Sequence, residues 1–539
     1  MSAETRRFVL AIALSLAVVF VWQTFAPKPQ KPAPAPAPVQ VTPAPEAAKN
    51  PEAPAPAQGG GQAAAAAPVD APEELVTLEG AEFTAQLSSH GGTLKHYQLR
   101  DHKFQDLDVV HVTDGQPFPL ALVPSPELGG GADAASDRWA RAPMRVVSKD
   151  ARSVVFEGRV GSVEVRKTIA VTGKPYELAV RIEASGGAKG GTVSVLFPSY
   201  QPPNAQTGGI FSGPPLNVMR PVCRAGTSTE RYDLAKDPGS EKVAGDAVWM
   251  GADQHYFIGA LVLDQAAGTC VFTRGPAAGT GLVALVLPLE GPRTVTGQLF
   301  VGPKDIDYLR VYGRSFETAI EYGAFAKPFA LFARGLLYVM RWLASIVKNW
   351  GVAIILLTLL VKVVLLPLTY KSMKSMNEMR RLQPEMEKLK AKFPGPENRE
   401  KLQMATMQMY QQHKVNPLGG CLPMLLQMPI WFALYAALQT SVELYRQPFL
   451  WMADLTAKDP FYILPLLMGV SSFLMQKLAP QPADNAQAKM MLYFMPAIFT
   501  VMMLGLPAGL TLYIFVNNLL SIIQQQAMFK QTPAVATAK

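Results

Sequence analysis

The chain has 539 residues, 49% of them hydrophobic and 17% charged, with a formal net charge of +9. It is too long for one domain and too apolar for an ordinary soluble enzyme. Its basic residues form no stripe interleaved with aromatics, which disfavours DNA as a partner; Lys- and Arg-rich cytoplasmic loops of a membrane protein explain the excess more simply.

Residues 1–26 hold an apolar run, Phe8 to Phe25, preceded by Arg6 and Arg7. Its end, Thr24-Phe25-Ala26-Pro27, lacks the small-residue cleavage pattern of a signal peptide, so an uncleaved signal anchor is expected. The flanking arginines keep the N-terminus in the cytoplasm and send the following chain outward. Residues 27–74 are rich in Ala and Pro, a composition that buries no core and reads as an extended, disordered linker.

Residues 75–324 change character. Stretches such as Ser153–Gly158 and Ser162–Ile169 alternate apolar and polar positions between frequent Gly, Pro, Asn and Asp, which predicts an exported all-β domain of sandwich type. His90, His96 and His102 have no spacing that converges on a metal, and no Walker A loop, G-x-S-x-G elbow or H-E-x-x-H pair occurs. No cofactor and no catalytic residue is expected. Cys223, Cys270 and Cys421 form no CxxC pair. Cys223 and Cys270 could bond in an oxidising compartment, though nothing in their spacing demands it.

Residues 325–349 are apolar and aromatic, but Lys327, Arg334, Arg341 and Lys348 recur every seven residues and so share one face of a helix. A charge at the centre of a span costs roughly 2.5 to 3.5 kcal/mol, so the expectation is a helix lying in the interface, basic face to the headgroups. Residues 350–530 then read as a five-helix core with spans at Trp350–Tyr370, Leu418–Thr440, Pro460–Leu478, Met490–Leu506 and Ala508–Phe529, followed by a short tail, 531–539. Some of these spans fall short of ~20 residues, which suggests tilt or a thin bilayer. With the anchor this makes six transmembrane helices. The segment 371–416 carries ten Lys and Arg, so both termini fall on the cytoplasmic side.

Within 371–416, Met376, Met379, Gln383, Met386, Leu389 and Phe393 mark a near-heptad stripe, and Phe393-Pro394-Gly395-Pro396 a turn, which predicts a helical hairpin. The stripe is expected first of all to zip the two helices together; methionines also make an adaptable surface for apolar segments.

Lys362 stands among Leu359, Leu360, Val361, Val363 and Val364, with no acidic residue in the surrounding spans. It lies about 12 Å from the cytoplasmic end of its helix. It either snorkels to the headgroups or serves a wet groove. Thr358, one turn away, and Gln427, Asn517, Asn518 and Gln524 supply further polar groups for such a groove. A cation there would attract the acidic residues of a polypeptide tail, worth about 4 kcal/mol at 4 Å and an effective dielectric of 20.

The runs Asn416-Pro417-Leu418-Gly419-Gly420-Cys421, Gln427-Met428-Pro429-Ile430, Tyr462-Ile463-Leu464-Pro465 and Ile522-Ile523-Gln524-Gln525-Gln526 resemble the YidC family of membrane protein insertases. The resemblance covers the whole chain in organisation and is densest after Phe325. It implies a bacterial inner-membrane insertase and chaperone acting on nascent membrane proteins, alone or beside the Sec translocon. It implies an exported β-supersandwich, a cytoplasmic hairpin that meets the ribosome or the signal-recognition receptor, and a hydrophilic groove. In that groove the family's usual Arg aligns with Lys362, Thr358 and Tyr513 match nearby positions, and Met428 and Pro429 would offer apolar substrate contacts. Lysine keeps the charge but lacks the planar fork of arginine. The rival reading, a channel or secondary transporter with Lys362 as its substrate charge, lacks an internal repeat and a coupling carboxylate.

Overall fold

The computed structural model describes residues 72–530 apart from 102, 106, 126–138, 188–190, 203–217, 236, 238, 276, 323–328, 396–397, 414, 416–421 and 479–489. The anchor, most of the linker, the tail, His102, Lys327 and Cys421 lie outside the described residues.

Residues 75–303 form antiparallel β-structure in three sheets. The largest has nine strands and runs from Ser228–Arg231 at one edge to Met144–Lys149 at the other; a five-stranded sheet runs from Ser240–Lys242 to Ala121–Ser125, and a three-stranded sheet opens the domain. The alternation seen in sequence is the cause. In the strand Val163–Val171, Val163, Val165, Lys167 and Ile169 turn inward while Glu164 and Arg166 face water, and Arg166 pairs with Glu157 on the neighbouring strand at 2.7 Å. One apolar core fills the domain, with Trp249, Phe156, Phe272 and Phe300 fully buried in it. A disulfide joins Cys223, in the nine-stranded sheet, to Cys270, in the five-stranded one.

A short helix α1 (Ile306–Val311), capped by the Asp305 carboxylate, follows the last strand. The helix α2 (Ala330–Val347) ends where Lys348 adopts a left-handed conformation. The Asn349 side chain then accepts from the Val352 N–H and starts α3 (Trp350–Arg381). Helix α3 runs through Pro367 without interruption for 32 residues, about 48 Å, so it continues past the expected apolar span Trp350–Tyr370 into the basic segment.

Helices α4 (Gln383–Lys392) and α5 (Arg399–Gln412) form a pair zipped by Leu382, Met409 and Val415 with Met379, Met386, Leu389 and Tyr410 around them. The sequence stripe contributes Met379, Met386 and Leu389 to that contact. Helices α6 (Leu422–Thr440), α7 (Ile463–Leu478), α8 (Met495–Met503, entered through a π-turn at Met490–Phe494) and α9 (Ala508–Lys530) complete the half. By length and composition, one segment among the described residues, Trp350–Tyr370, is long and apolar enough to cross a membrane, while Ile463–Leu478 and Leu492–Met503 are apolar but shorter.

Candidate functional site

Helix periodicity collects the polar side chains of three helices at one depth. Lys362 lies twelve residues into α3, Gln427 thirteen residues before the end of α6, and Ser521 thirteen residues into α9. At 1.5 Å per residue each sits about 18–20 Å from the helix end nearest the β-domain. The Lys362 Nζ donates to the Ser521 Oγ at 2.7 Å, and that hydroxyl donates to the Asn517 carbonyl at 2.8 Å. The Gln427 Nε2 donates to the Tyr513 Oη at 2.8 Å and reaches the Asn517 Oδ1 at 3.5 Å. One turn further along α9, the Gln524 Nε2 donates to the Thr369 Oγ at 3.0 Å. The fused polar track therefore belongs to α3, α6 and α9.

Two expected members stand apart. Asn518 is buried on another face of α9 and donates to Ser471 and Ser472 of α7 at 3.2 and 2.8 Å. Adjacent residues on a helix point 100° apart, so Asn517 and Asn518 cannot both face Gln427. Thr358 is 1% exposed and its hydroxyl is turned back to the Ile354 carbonyl of its own helix at 2.7 Å. Met428 is exposed and Pro429 half-buried on α6. Ser521 was not anticipated, although its place one turn after Asn517 is visible in the sequence.

The chain at the other end of α6 is fastened to the β-domain. The Lys103 Nζ donates to the Glu443 carbonyl at 2.8 Å, His255 to the Gln439 carbonyl at 2.8 Å, and Arg446 to the Gln105 carbonyl at 3.4 Å. Arg341 of α2 pairs with Asp307 at 2.6 Å, with Asp305 at 3.3 Å and with Glu443. Burial, with Glu443 beside it, raises the Asp305 carboxyl above its ordinary range although Arg341 opposes the shift. The expectation that Arg341 would face headgroups is thereby corrected. A half-buried guanidinium gains more from three fixed carboxylates than from mobile lipid, and Asp305, Asp307 and Glu443 lie too far away in sequence to be foreseen.

Residues 75–336 match the family model described as the YidC periplasmic domain, and residues 342–535 that described as the 60Kd inner membrane protein. A membrane protein insertase YidC of Anaeromyxobacter sp. (strain K) is 63% identical over 551 residues, covering 100% of both chains. One of the same name from Geobacter sp. (strain M21) is 34% identical and covers 84% of this chain and 85% of its own. A solved structure of an active YidC insertase with its first transmembrane domain resolved covers 87% of this chain and 95% of its own, at 20% identity and a TM-score of 0.37. With both family models in tandem and relatives alike from end to end, this chain belongs to the YidC family of membrane protein insertases, bacterial inner-membrane proteins with a periplasmic domain.

Proposed function

We propose that the chain inserts and folds integral membrane proteins by drawing their polar tails into a groove formed by α3, α6 and α9, with Lys362 as its cation. One observation carries the reading. Lys362 sits in the one segment among the described residues that is long and apolar enough to cross a membrane, and its bond is to a hydroxyl, Ser521, rather than to a carboxylate. A cation held by a neutral partner keeps most of its field for an incoming anion, and in a half-wet site that field offsets much of the cost of burying one acidic residue. Gln427, Tyr513 and Asn517 extend the polar track; Met428 and Pro429 face the apolar part of the substrate. Thr358 is buried one turn before Lys362 with its hydroxyl on the Ile354 carbonyl, and Asn518 links α9 to α7.

The membrane arrangement that goes with this function has six spans and both termini in the cytoplasm. Helices α3, α6, α7, α8 and α9 supply five spans, and residues 1–26 the sixth. The ten basic residues of 371–416 fix the α4–α5 pair on the cytoplasmic side, where it would meet the ribosome or the signal-recognition receptor. The Sec translocon is the expected partner for larger clients. Nothing in the reaction makes or breaks a covalent bond, so the protein is not an enzyme; partitioning of apolar segments into lipid supplies the free energy.

The test is insertion of a single-span protein with an acidic exported tail into liposomes containing only this chain, read by protease protection of the tail. Lys362→Ala is expected to lose most of the protected product and Lys362→Arg to keep it. Equal loss in both variants would refute a mechanism that uses the charge alone.

A further inference from the structure

A cavity of about 520 Å³ lies where α1, α2 and the end of α6 meet, well away from Lys362. That is within the ~300–1,000 Å³ range of small-ligand sites. Its wall includes Arg310, Tyr322, Arg334, Tyr338, Arg341 and Trp342.

The charges on this wall are unevenly answered. Lys304 is held by Asp253 at 2.8 Å, and Arg341 by the three carboxylates described above. Arg310 and Arg334 make no ion pair among the described residues. The Arg334 Nε lies 3.4 Å from the Tyr322 Oη, with its guanidinium 5.8 Å from the centre of that ring. The Nε of Arg341 is buried with no hydrogen-bond partner. The cavity therefore keeps two guanidinium groups without a carboxylate partner among the described residues, and an anion with several acceptor oxygens satisfies that pair.

The position of the cavity narrows the anion. Leu331, Tyr338, Trp342 and Ile346 of α2 are 78%, 75%, 57% and 59% exposed, and their spacing places them along one side of the helix. Tyr338 and Trp342 belong both to this apolar face and to the cavity wall. A ligand seated on the arginines could thus lay hydrocarbon along the exposed face, with the two aromatic rings at the boundary, where amphipathic rings favour a membrane–water interface.

We propose that this cavity binds the phosphodiester headgroup of an anionic phospholipid of the periplasmic leaflet, with Arg310 and Arg334 as phosphate ligands and the acyl chains against Leu331, Trp342 and Ile346. The inference rests on the interfacial placement of α2 and not on the groove around Lys362. A lipid bound there would join α2 to the β-domain through a component of the membrane itself.

The probe is a phosphatidylglycerol with a photoreactive headgroup, diluted into phosphatidylcholine liposomes that hold the full-length chain, with labelled peptides mapped by mass spectrometry. Labelling is expected in Ala330–Val347 and to fall about tenfold in the Arg310→Gln, Arg334→Gln double variant, the loss of about 1.4 kcal/mol. Arg334→Lys, which retains charge, should keep part of it. Both arginines lie outside the apolar core, and a circular-dichroism melt shows whether the double variant is folded. Unchanged labelling in the folded double variant overturns the proposal. Displacement by inorganic phosphate as effective as by unlabelled phosphatidylglycerol would assign the site to free phosphate instead, and displacement by an acidic peptide alone would assign it to a polypeptide. Either result overturns the lipid.

Discussion

Lys167 is 0% exposed at the centre of the β-domain, and the pattern of its strand puts it there: it occupies the inward phase between Val165 and Ile169. Its Nζ donates to the carbonyls of Leu120, Gly91 and Gly92 at 2.5, 2.6 and 3.3 Å, which ties a glycine turn and an edge strand to the nine-stranded sheet. Burial pulls the amine from 10.5 down to about 7. Between about pH 7 and 10.5 the folded domain therefore holds this amine neutral while the unfolded chain holds it protonated. The unfolded state then binds the extra proton, so stability rises with pH across that window, by about 1.4 kcal/mol per pH unit and by roughly 5 kcal/mol in all. Below about pH 7 both states are protonated and the contribution is constant.

The Lys167→Met variant removes the titration and keeps most of the volume. It also leaves the two closest carbonyls without their donor, at about 1–3 kcal/mol each. The variant should be close to wild type in stability near neutral pH, where the lost bonds and the relieved ammonium cost offset each other. It should fall behind by about 3 kcal/mol over the next two pH units. Pulse proteolysis in urea on the full chain in detergent, scoring the intact β-domain by blot, measures both proteins across the range. A deficit of the same size at every pH would refute the reasoning, because it would mean that the three carbonyls hold the ammonium as comfortably as water does.

Reduction of the Cys223–Cys270 bond, which spans 47 residues, should lower the stability of the same domain by about 4 kcal/mol at most, and the same proteolysis assay with and without reductant reads it. Asn518→Leu removes the link from α9 to Ser471 and Ser472, worth about 1–2 kcal/mol between helices in a membrane. It should lower the thermal midpoint of the full chain while leaving insertion of acidic tails intact. A selective insertion defect at unchanged stability would instead return Asn518 to the groove. Deletion of Met373–Lys414, which removes the α4–α5 pair, should abolish insertion without preventing assembly in the membrane. Normal growth of a strain that depends on that variant would contradict it.

The β-domain was legible because a strand declares its faces in pairs of residues, and Ser153–Gly158 and Ser162–Ile169 do so plainly. The same rule would have found Lys167, whose phase matches its apolar neighbours; what sequence lacks is the trio of carbonyls, which come from chain 47 to 76 residues away. The helix pair was legible in part as a heptad stripe: Met379, Met386 and Leu389 of it pack around Leu382, Met409 and Val415, which the stripe did not include. Around Lys362 the sequence supplied the residue types but not their directions. Asn517 and Asn518 look equivalent on paper, yet they serve different neighbours because a single step around a helix is 100°. Arg341 was misjudged for the converse reason. A sevenfold charge repeat is a local pattern, whereas its three carboxylates come from two distant segments and none lies on α2.

The helical half is tied to the β-domain near the end of α6, and that bears on how a groove would be used. Lys103 and His255 of the β-domain meet Glu443 and Gln439, Arg446 meets Gln105, and Arg341 of α2 pairs with Glu443, so the chain at the end of α6 is tied both to the β-domain and to α2. The polar track lies about 18–20 Å away along the helix axes. In the proposed membrane arrangement, with a hydrocarbon layer ~30 Å thick, this depth is past the midplane, roughly 10–12 Å from the cytoplasmic side. Helix α7 has 16 residues and is about 24 Å long, and α8 with its π-turn is shorter still, so if both cross the membrane as proposed, the layer beside them has to thin or be left partly uncovered. In the proposed mechanism an acidic tail entering from the cytoplasm would meet Lys362 after only part of the crossing, and the remaining path would be shorter than in undisturbed lipid. A single cation and a thin, incompletely covered bilayer divide the desolvation cost between them, which is why a lysine bonded to a serine, with no carboxylate and no nucleotide, suffices for the proposed task.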